Sequence, residues 1–270
     1  MTRGPTRIVC LTEETVETLY LLGEQERIVG VSGYAVRPPE VRREKPRVSA
    51  FISADLPKIL ALKPDLVLAF SDLQAEIVRD LIRAGLAVHV FNHRDLAGIY
   101  AMIAMLGAMV GAPEKAEALA ASLAESVERV RAASAALPRR PRVYFEEWDE
   151  PMICGIQWVS ELIGIAGGMD VFAHRAVSPS AQGRLVTAEE VIAAAPEIII
   201  GSWCGRRFVP AKVAARAGFS DVPAVRSGHL FEIKSPLILQ PGPAALTDGL
   251  AELHRIISAV AMQPYPVASA

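Results

Sequence analysis

Side chains able to bind a small molecule follow several of the short apolar runs in this sequence, at the point where each run ends. The set combines acids, aromatic residues and cations: Glu13, Glu14, Tyr34, Phe70, Ser71, Glu146, Glu147, Trp148, Trp203, Arg206, Arg207 and Lys234. If the runs are parallel strands, these residues lie outside the carboxyl ends of the strands, where open α/β sheets bind ligands. Aromatic faces with a few convergent polar groups are typical of a small-molecule cleft. In the alternative interpretation, Trp148 and Trp203 only cover the core of a lobe.

Two interpretations of the charged residues stay open. In the first, the pairs Glu13-Glu14 and Glu146-Glu147 form an acidic patch at the mouth of the cleft. The cations Arg206, Arg207 and Lys234 then face that patch or meet an anionic group of the ligand. In the second, all of these charges belong to a solvated rim, because exposed charges are common. Burial of converging acids raises their pKa unless a cation or donor compensates, so the first interpretation favours a cationic, metal-bearing or donor-rich ligand.

The sequence carries no recognisable catalytic or metal-binding signature. No glycine-rich phosphate loop follows a predicted strand. Residues 201–205 are similar to a nucleophile elbow, but Trp203 occupies the central position where the nucleophile belongs. Metal-ligand spacing is absent among the cysteines and histidines: Cys10, Cys154, Cys204, His89, His93, His174, His229 and His254. We therefore expect a binding protein with no catalytic residue and no cofactor, and we assign no metal ligand.

Composition excludes several other classes of protein. The chain has 270 residues, 51% of them hydrophobic, enough for one large domain or two modest ones. With 28 basic and 30 acidic side chains, the net charge of −2 gives no basic face for nucleic acid. No apolar run approaches the roughly 18 residues of a membrane span. Residues 1–7 lead directly into a predicted strand, so we expect no secretory signal in the sequence as written.

Short apolar runs alternate with helical patterns in both halves of the chain. In the first half, the pattern predicts strands at 7–11, 28–31, 66–70 and 87–91, and helices at 16–22, 56–62 and 73–84. In the second half, it predicts strands at 143–145, 198–201 and 230–233, and helices at 159–165, 187–195 and 244–260. Strand-helix-strand alternation with short connections favours parallel pairing. Residues 113–136, rich in Ala, Glu, Lys and Leu, predict one helix about 30 Å long.

The two halves share a repeated unit. Residues 59–68 parallel residues 191–200: each is a helix, then a Pro-acid dipeptide, then a buried strand. We therefore predict an α/β fold with two Rossmann-like α/β lobes, joined by one long interlobe helix, with a ligand cleft between the lobes. The predicted boundaries are 1–112 for the N-terminal lobe, 113–137 for the connecting helix and 138–270 for the C-terminal lobe.

These motifs resemble those of a known family. The opening residues 7–9 and 28–32, the dipeptide Pro38-Pro39, the segment 60–67 and the closing Pro241-Gly242-Pro243 are similar to the cobalamin, haem and ferric-siderophore binding proteins of ABC importers. The resemblance covers roughly residues 7–260, and the cobalamin-binding branch is nearest. It implies a corrinoid or an iron or metal chelate held between two lobes, with no catalytic step.

The resemblance also implies roles for individual residues. Tyr34 is expected to contact a corrin-like ring, with Phe51 and Phe70 as further aromatic residues of the cleft. Glu189 is expected to dock onto an arginine of the importer's permease. The implied protein is a monomer that works in the periplasm, partnered by a permease and a small-molecule ligand. An alternative is a cytoplasmic binding or sensing protein of the same fold, for a smaller metal-related ligand.

Overall fold

The computed structural model describes residues 4–264, which divide into two compact units. The first unit comprises residues 4–123 together with Gln240–Pro243, a short segment contributed by the far end of the chain. The second unit comprises residues 124–239 and 244–264. The division falls inside a long helix, so the lobe boundaries inferred from the sequence stay a prediction.

The first unit is built on a parallel sheet. Its described strands are β1 (Ile8–Cys10), β2 (Ile28–Ser32), β3 (Arg47–Ser49), β4 (Leu66–Phe70) and β5 (Val88–Phe91). Its described helices are α1 (Glu13–Leu21), α2 (Val41–Glu44), α3 (Leu56–Ala61), α4 (Ala75–Arg83) and α5 (Leu96–Met109). The strands lie in the order β3-β2-β1-β4-β5, and every neighbouring pair is parallel. All five carboxyl ends therefore meet at one edge of the sheet, with β1 in the middle.

Apolar side chains on the strands and on the helices beside them form the core of the first unit. Val9, Val67 and Ala69 from the strands pack with Ile59 from α3 and Leu81 from α4, all buried. The inner strands β1, β2 and β4 are almost wholly buried and read as continuous apolar runs, which is why the sequence pattern located them. The short edge strand β3 was not predicted, because only its central residue is buried.

The long helix α6 (Pro113–Ala135) begins in the first unit and ends in the second. Pro113 occupies its first position, where the missing N–H costs no hydrogen bond. The single helix predicted for this stretch is confirmed.

The second unit carries a mixed sheet. Its described strands are β6 (Arg142–Asp149), β7 (Met152–Cys154), β8 (Met169–Asp170), β9 (Ile198–Gly201) and β10 (Leu230–Glu232). Its described helices after α6 are α7 (Gln157–Ile165), α8 (Ala173–Ala176), α9 (Ala188–Ala194), α10 (Pro210–Ala214), α11 (Pro223–Arg226), α12 (Ser235–Ile238) and α13 (Leu250–Ala261). The main path is β10-β9-β6-β7, and β8 also pairs with β6. Only the β6–β7 pair among the described strands of this unit is antiparallel.

Aromatic residues dominate one side of the second core. Tyr144, Phe172, Trp203, Phe208 and Phe219 are all buried there. The Trp203 and Phe208 rings meet edge to face, with centroids 5.1 Å apart. Trp203 thus belongs to this core, as the alternative interpretation of the tryptophans expected.

The repeated unit has the same geometry in both places. Lys63 and Ala195 each end their helix with a positive φ, 48° and 44°. The acid two residues later then closes onto the neighbouring strand: Asp65 accepts from the N–H of Arg7 (2.9 Å) and Glu197 from the N–H of Arg142 (3.0 Å). The repeat seen in the sequence is therefore a repeat of a helix-to-strand connection.

Most elements differ from their predicted bounds by one or two residues, and three differences bear on the argument. Helix α1 begins at Glu13 rather than at residue 16, because acidic side chains are favourable in a first helical turn. Strand β6 continues to Asp149, so Glu146, Glu147 and Trp148 lie within the strand and not after it. The polar residues at the end of β6 stay in the strand conformation because β7 pairs with them. The last predicted helix begins with a π-helical turn, Ala245–Gly249, before α13.

Candidate functional site

The carboxyl edge of the first sheet brings together the residues predicted there. Glu13 and Glu14 follow the central strand β1, Tyr34 follows β2, and Phe51 follows β3. Phe70 ends β4, and Ser71 comes directly after it. Tyr34 is 44% exposed and free to contact a ligand, whereas Phe70 and Ser71 are buried.

Burial changes the protonation of the two glutamates. Glu14 is 1% exposed and Glu13 is 6% exposed. Burial raises the pKa of Glu13 to about 7. Burial, with a contribution from the charge of Glu13, raises the pKa of Glu14 to about 8, even though the hydroxyl of Thr12 donates a hydrogen bond to it.

Gln74 organises this edge, and the sequence reasoning missed it. Its Oε1 accepts from the N–H of Phe70 (3.0 Å), and its Nε2 donates to the carbonyl of Phe51 (2.8 Å). The same Nε2 lies 3.4 Å from the carbonyl of Leu11. One buried amide therefore ties together the loops that follow β1, β3 and β4. The available signal was a polar residue within a predicted amphipathic helix, which alone did not distinguish it from a surface position.

Ser71 has a strained backbone at this edge. Its φ is 67°, in a region that favours glycine. The strain is held by hydrogen bonds on both sides, since its N–H donates to the carbonyl of Phe91 (2.8 Å) and its hydroxyl accepts from the N–H of Leu73 (3.3 Å). Strain of this kind concentrates at ligand sites.

The segment Gln240–Pro243 completes the first unit beside Glu14. The ring Nε2 of His93 lies 2.8 Å from the carbonyl oxygen of Pro241, so this nitrogen carries the proton and donates. Burial lowers the pKa of His93, which keeps the imidazole neutral at pH 7. A Cβ on Gly242 would lie 2.6 Å from the Cβ of Glu14, so only glycine permits this approach.

In the second unit, Glu146 is enclosed by donors. Arg216 donates to both of its carboxylate oxygens, at 2.6 and 2.9 Å. Trp203 donates through its indole N–H (3.0 Å) and Tyr144 through its hydroxyl (3.0 Å). Glu146 and Trp203 are both buried, and their polar groups are engaged with each other. Ligand contact by either residue stays a prediction that this arrangement does not favour.

A second ionic cluster surrounds Asp149, a residue that the sequence reasoning overlooked. Lys212 donates to it at 2.6 Å and Arg206 at 3.1 Å. Burial acts to raise the pKa of Asp149, but the hydrogen bond from Lys212 and the two cationic charges outweigh it and lower that pKa. The guanidinium of Arg206 also lies over the Trp148 ring, 5.2 Å from its centroid. Arg206 and Trp148 thus form one half-exposed surface feature.

The remaining predicted residues of the second unit differ in accessibility. Glu147 pairs with Arg184, a buried arginine that also donates to the carbonyl of Cys154 (2.8 Å). Arg207 and Lys234 are exposed, and Lys234 pairs with Glu232. The predicted acids Glu146 and Glu147 are therefore both matched with cations of the same unit, which the sequence did not reveal because the partners lie far along the chain.

Glu189 lies exposed in the first turn of α9. The capping box that the sequence predicted before it is present, with Thr187 and Glu190 bonded reciprocally. The pKa of Glu189 is lowered, chiefly by the backbone N–H and then by the Thr187 hydroxyl, so its carboxylate is ionised at neutral pH.

The part of the chain that the structure describes has neither a metal-binding cluster nor a membrane-spanning helix. Residues 4–264 contain no group of three or more His, Cys, Asp or Glu side chains arranged to hold a metal ion. Over the same residues, no helix has the length and apolar character needed to cross a membrane.

A family model described as "Periplasmic binding protein" matches residues 8–237, which include both sheets. The chain belongs to the periplasmic binding protein family. The family membership predicted from the sequence motifs is thereby confirmed, and so is the two-unit α/β fold class. The cleft between the lobes stays a prediction.

Two curated relatives of this periplasmic binding protein match along most of their length. An uncharacterized ABC transporter substrate-binding lipoprotein, YvrC of Bacillus subtilis, is 26% identical over 265 residues, covering 94% of this chain and 81% of the relative. A vitamin B12-binding protein of Vibrio parahaemolyticus is 27% identical over 243 residues, covering 89% of this chain and 85% of the relative.

A solved structure has the same fold. The periplasmic vitamin B12 binding protein BtuF of Vibrio cholerae superposes with a TM-score of 0.76 at 24% sequence identity, covering 96% of this chain and 99% of the other. A likeness at this level of identity describes the architecture.

Proposed function

We propose that this protein is the substrate-binding component of an ABC importer and that it binds a corrinoid, or otherwise an iron or metal chelate. The observation that carries the proposal is the family match over residues 8–237, supported by relatives named as ABC transporter substrate-binding and vitamin B12-binding proteins. The importer role is favoured over a cytoplasmic sensor because both relatives' names describe transport or vitamin capture.

The carboxyl edges of the two sheets supply the proposed ligand contacts. In the first unit, Tyr34 offers an exposed ring at the same edge of the sheet at which Gln74 bonds the backbone of Phe51 and Phe70. In the second unit, Arg206 stacked on Trp148 offers a cationic and aromatic surface. Arg207, Lys234 and Ser71 are further proposed contacts, and so are Glu13 and Glu14.

This function requires affinity and presentation, without a chemical step. A rigid aromatic side chain contributes contact area at a low cost in conformational entropy. We infer that the protein acts as a monomer outside the cytoplasmic membrane and delivers its ligand to a permease. Glu189 is the proposed docking residue, since it is exposed, ionised and fixed at a capped helix start.

Calorimetric titration with cyanocobalamin, haemin and a ferric siderophore tests the ligand class. We expect cyanocobalamin to bind with a Kd in the micromolar range or below. Ligand at about 100 times its Kd stabilises the protein by roughly 2.7 kcal/mol, which raises the Tm by several degrees. Binding of haemin or the siderophore alone would move the proposal to that ligand, and no binding of any of the three would overturn it.

A pair of variants tests the site. Tyr34→Ala should weaken cyanocobalamin binding by about tenfold, because an exposed aromatic anchor is removed. Leu21→Ala is the matched control: Leu21 is also exposed, but it ends α1 at the opposite edge of the sheet. Equal affinities for the two variants would exclude Tyr34 from the site.

A further inference from the structure

Glu13 and Glu14 are the least satisfied buried acids of the described structure. The Oε2 atom of each is buried with no hydrogen-bond partner. Thr12 bonds the other oxygen of Glu14, and neither residue forms an ion pair within residues 4–264. A buried acceptor without a donor lowers the stability of the fold, and more so when it is charged.

The other buried acids of the described chain are paired with a cation. Arg37 pairs with Glu17, Arg216 with Glu146, Lys212 and Arg206 with Asp149, and Arg139 with Glu197. Asp170, which burial also affects, has no cation but accepts hydrogen bonds from the Ser160 hydroxyl and from the N–H of Phe172. Each of these carboxylates is therefore satisfied either by a cation or by donors of the described chain. The Oε2 atoms of the two glutamates at the start of α1 lack such a partner among the described residues, which points to a partner supplied by a bound molecule.

Their position fits such a partner. The two residues follow β1, the middle strand, so the loops after β2 and β4 flank them on the carboxyl edge. Tyr34 follows β2, and Ser71, with its strained backbone, follows β4. The acids thus occupy the centre of the edge at which ligand contact is proposed.

The titratable groups around the pair do not neutralise it. Cys10 ends β1 within the electrostatic influence of Glu14, and its thiol stays protonated because burial raises its pKa to about 12. The segment that places Gly242 against Glu14 is bonded through Pro241 to His93, a neutral imidazole. Lys45 acts on Cys10 but forms no described ion pair with either glutamate.

We propose, on the basis of the proposed function, that Glu13 and Glu14 form a subsite for a hydrogen-bond donor on the rim of the ligand, a primary amide or an ammonium group. The same subsite selects amide-rimmed metal macrocycles over carboxylate-rimmed ones. An ionised carboxylate only accepts hydrogen bonds, and an amide NH₂ offers two donors to the unpartnered oxygens. A ligand carboxylate would instead place negative charge against negative charge. Both Oε2 atoms are buried in this structure. Binding therefore requires the ligand group to displace the protein atoms that now shield them from solvent.

The proposal makes affinity depend on pH in a defined direction. The pKa values of about 7 and about 8 leave the pair partly protonated near neutral pH. An amide donor binds the ionised pair, so its affinity rises between about pH 6 and pH 9. A carboxylate-rimmed ligand binds the protonated pair, so its affinity falls over the same range.

Two corrinoids that share the ring and the cobalt provide the test. Aquacyanocobinamide carries amide side chains, and aquacyanocobyrinic acid carries carboxylates. Their Kd values are measured at pH 6 and pH 9 for the wild-type protein, the Glu13→Gln/Glu14→Gln double variant and the exposed control Glu26→Gln. The preference for the amide-bearing corrinoid is the Kd of aquacyanocobyrinic acid divided by the Kd of aquacyanocobinamide. For the wild type and the control, we expect this ratio to grow by about tenfold from pH 6 to pH 9. In the double variant, we expect that growth to fall below about threefold, because glutamine donates and accepts at either pH.

The outcomes separate this inference from the function on which it rests. If the wild type binds cobinamide and the double variant keeps the same change of preference with pH, the donor subsite is wrong while the corrinoid-binding function stands. If neither corrinoid binds the wild type at either pH, the corrinoid assignment fails and the subsite fails with it. If the double variant does not fold, Glu14→Gln alone replaces it. We expect this single variant to lose about half of the pH-dependent change in preference, measured as the logarithm of the ratio of the two Kd values.

Discussion

Arg216 donates to both carboxylate oxygens of Glu146, at 2.6 and 2.9 Å, across seventy residues of sequence. Glu146 is buried in a strand, and the guanidinium comes from the chain just after α10. The pair therefore fixes the segment after β9 onto the carboxyl edge of the second sheet. Since Trp203 and Tyr144 donate to the same carboxylate, the ion pair is one part of a satisfied network.

Removing one member of this pair should destabilise the protein strongly. We expect Arg216→Met to lower the free energy of unfolding by about 3–5 kcal/mol, because it leaves a buried carboxylate without its cation. Urea denaturation followed by circular dichroism measures the change. Arg255→Met is the control: its pair with Glu252 is exposed and should contribute less than about 0.5 kcal/mol. If the two variants lose similar amounts of unfolding free energy, the buried Glu146 pair stabilises the fold no more than an exposed ion pair does.

The raised pKa values of Glu13 and Glu14 predict a loss of stability as pH rises. Both pKa values are higher in the folded protein than the ordinary value of 4.5, so the folded state binds these protons more tightly than the unfolded state. The two protonated carboxyl groups therefore make their full contribution to the free energy of unfolding below about pH 4.5. This contribution is lost as the pH rises through about 7 and 8. One pKa unit corresponds to about 1.4 kcal/mol, so the two groups together change the free energy of unfolding by several kcal/mol, with the larger share from Glu14.

Denaturation curves between pH 5 and pH 9 check this prediction. The wild-type free energy of unfolding should decrease over that range, and most of the decrease should disappear in Glu13→Gln/Glu14→Gln. The exposed Glu26→Gln should follow the wild type. Parallel curves for the wild type and the double variant would mean that both acids titrate normally.

Local sequence signals located the central strands and the helices that alternate with them, but α5 and the short strands β3, β7 and β8 were not predicted. The capping box at Thr187 and Glu190 and the strand Ile198–Gly201 are present at the predicted residues. Such features depend on residues a few positions apart, so the sequence displays them directly. The start of α1 was missed because Glu13 and Glu14 interrupt the apolar pattern, although acids are favourable at a helix start.

The candidate site was less accessible to sequence reasoning. Residues after the strands of the first sheet were identified correctly as sharing an edge, because parallel pairing follows from the alternation of strands and helices. The role of Gln74 and the pairing of Glu146 with Arg216 depend on contacts between distant positions, which no local pattern encodes. Acids of the second unit therefore looked like ligand contacts although their charges are matched internally.

Charge reversal at Glu189 should separate docking from binding. We expect Glu189→Lys to bind cyanocobalamin with unchanged affinity, because the residue is exposed on α9, and to lose most of its support of uptake. The measurement is accumulation of radiolabelled cyanocobalamin in cells that carry only the variant. Glu125→Lys, at an exposed position of α6 in the same unit, is the control and should support normal uptake. Normal uptake with Glu189→Lys would remove this residue from the docking surface.

Glycine at position 242 should be required for the segment Gln240–Pro243 to pack within the first unit. A Cβ there would lie 2.6 Å from the Cβ of Glu14 and 3.1 Å from its Cα, so Gly242→Ala forces the segment Gln240–Pro243 away from α1. We expect a loss of about 1–3 kcal/mol in the free energy of unfolding, since overpacking of this size displaces backbone. Gly164→Ala is the matched control: it lies within α7, its nearest neighbour is 4.0 Å away, and alanine favours a helix interior by about 0.5–1 kcal/mol. Thermal and urea denaturation should therefore move the two variants in opposite directions. If Gly242→Ala is as stable as the wild type, the segment does not pack against Glu14 in solution.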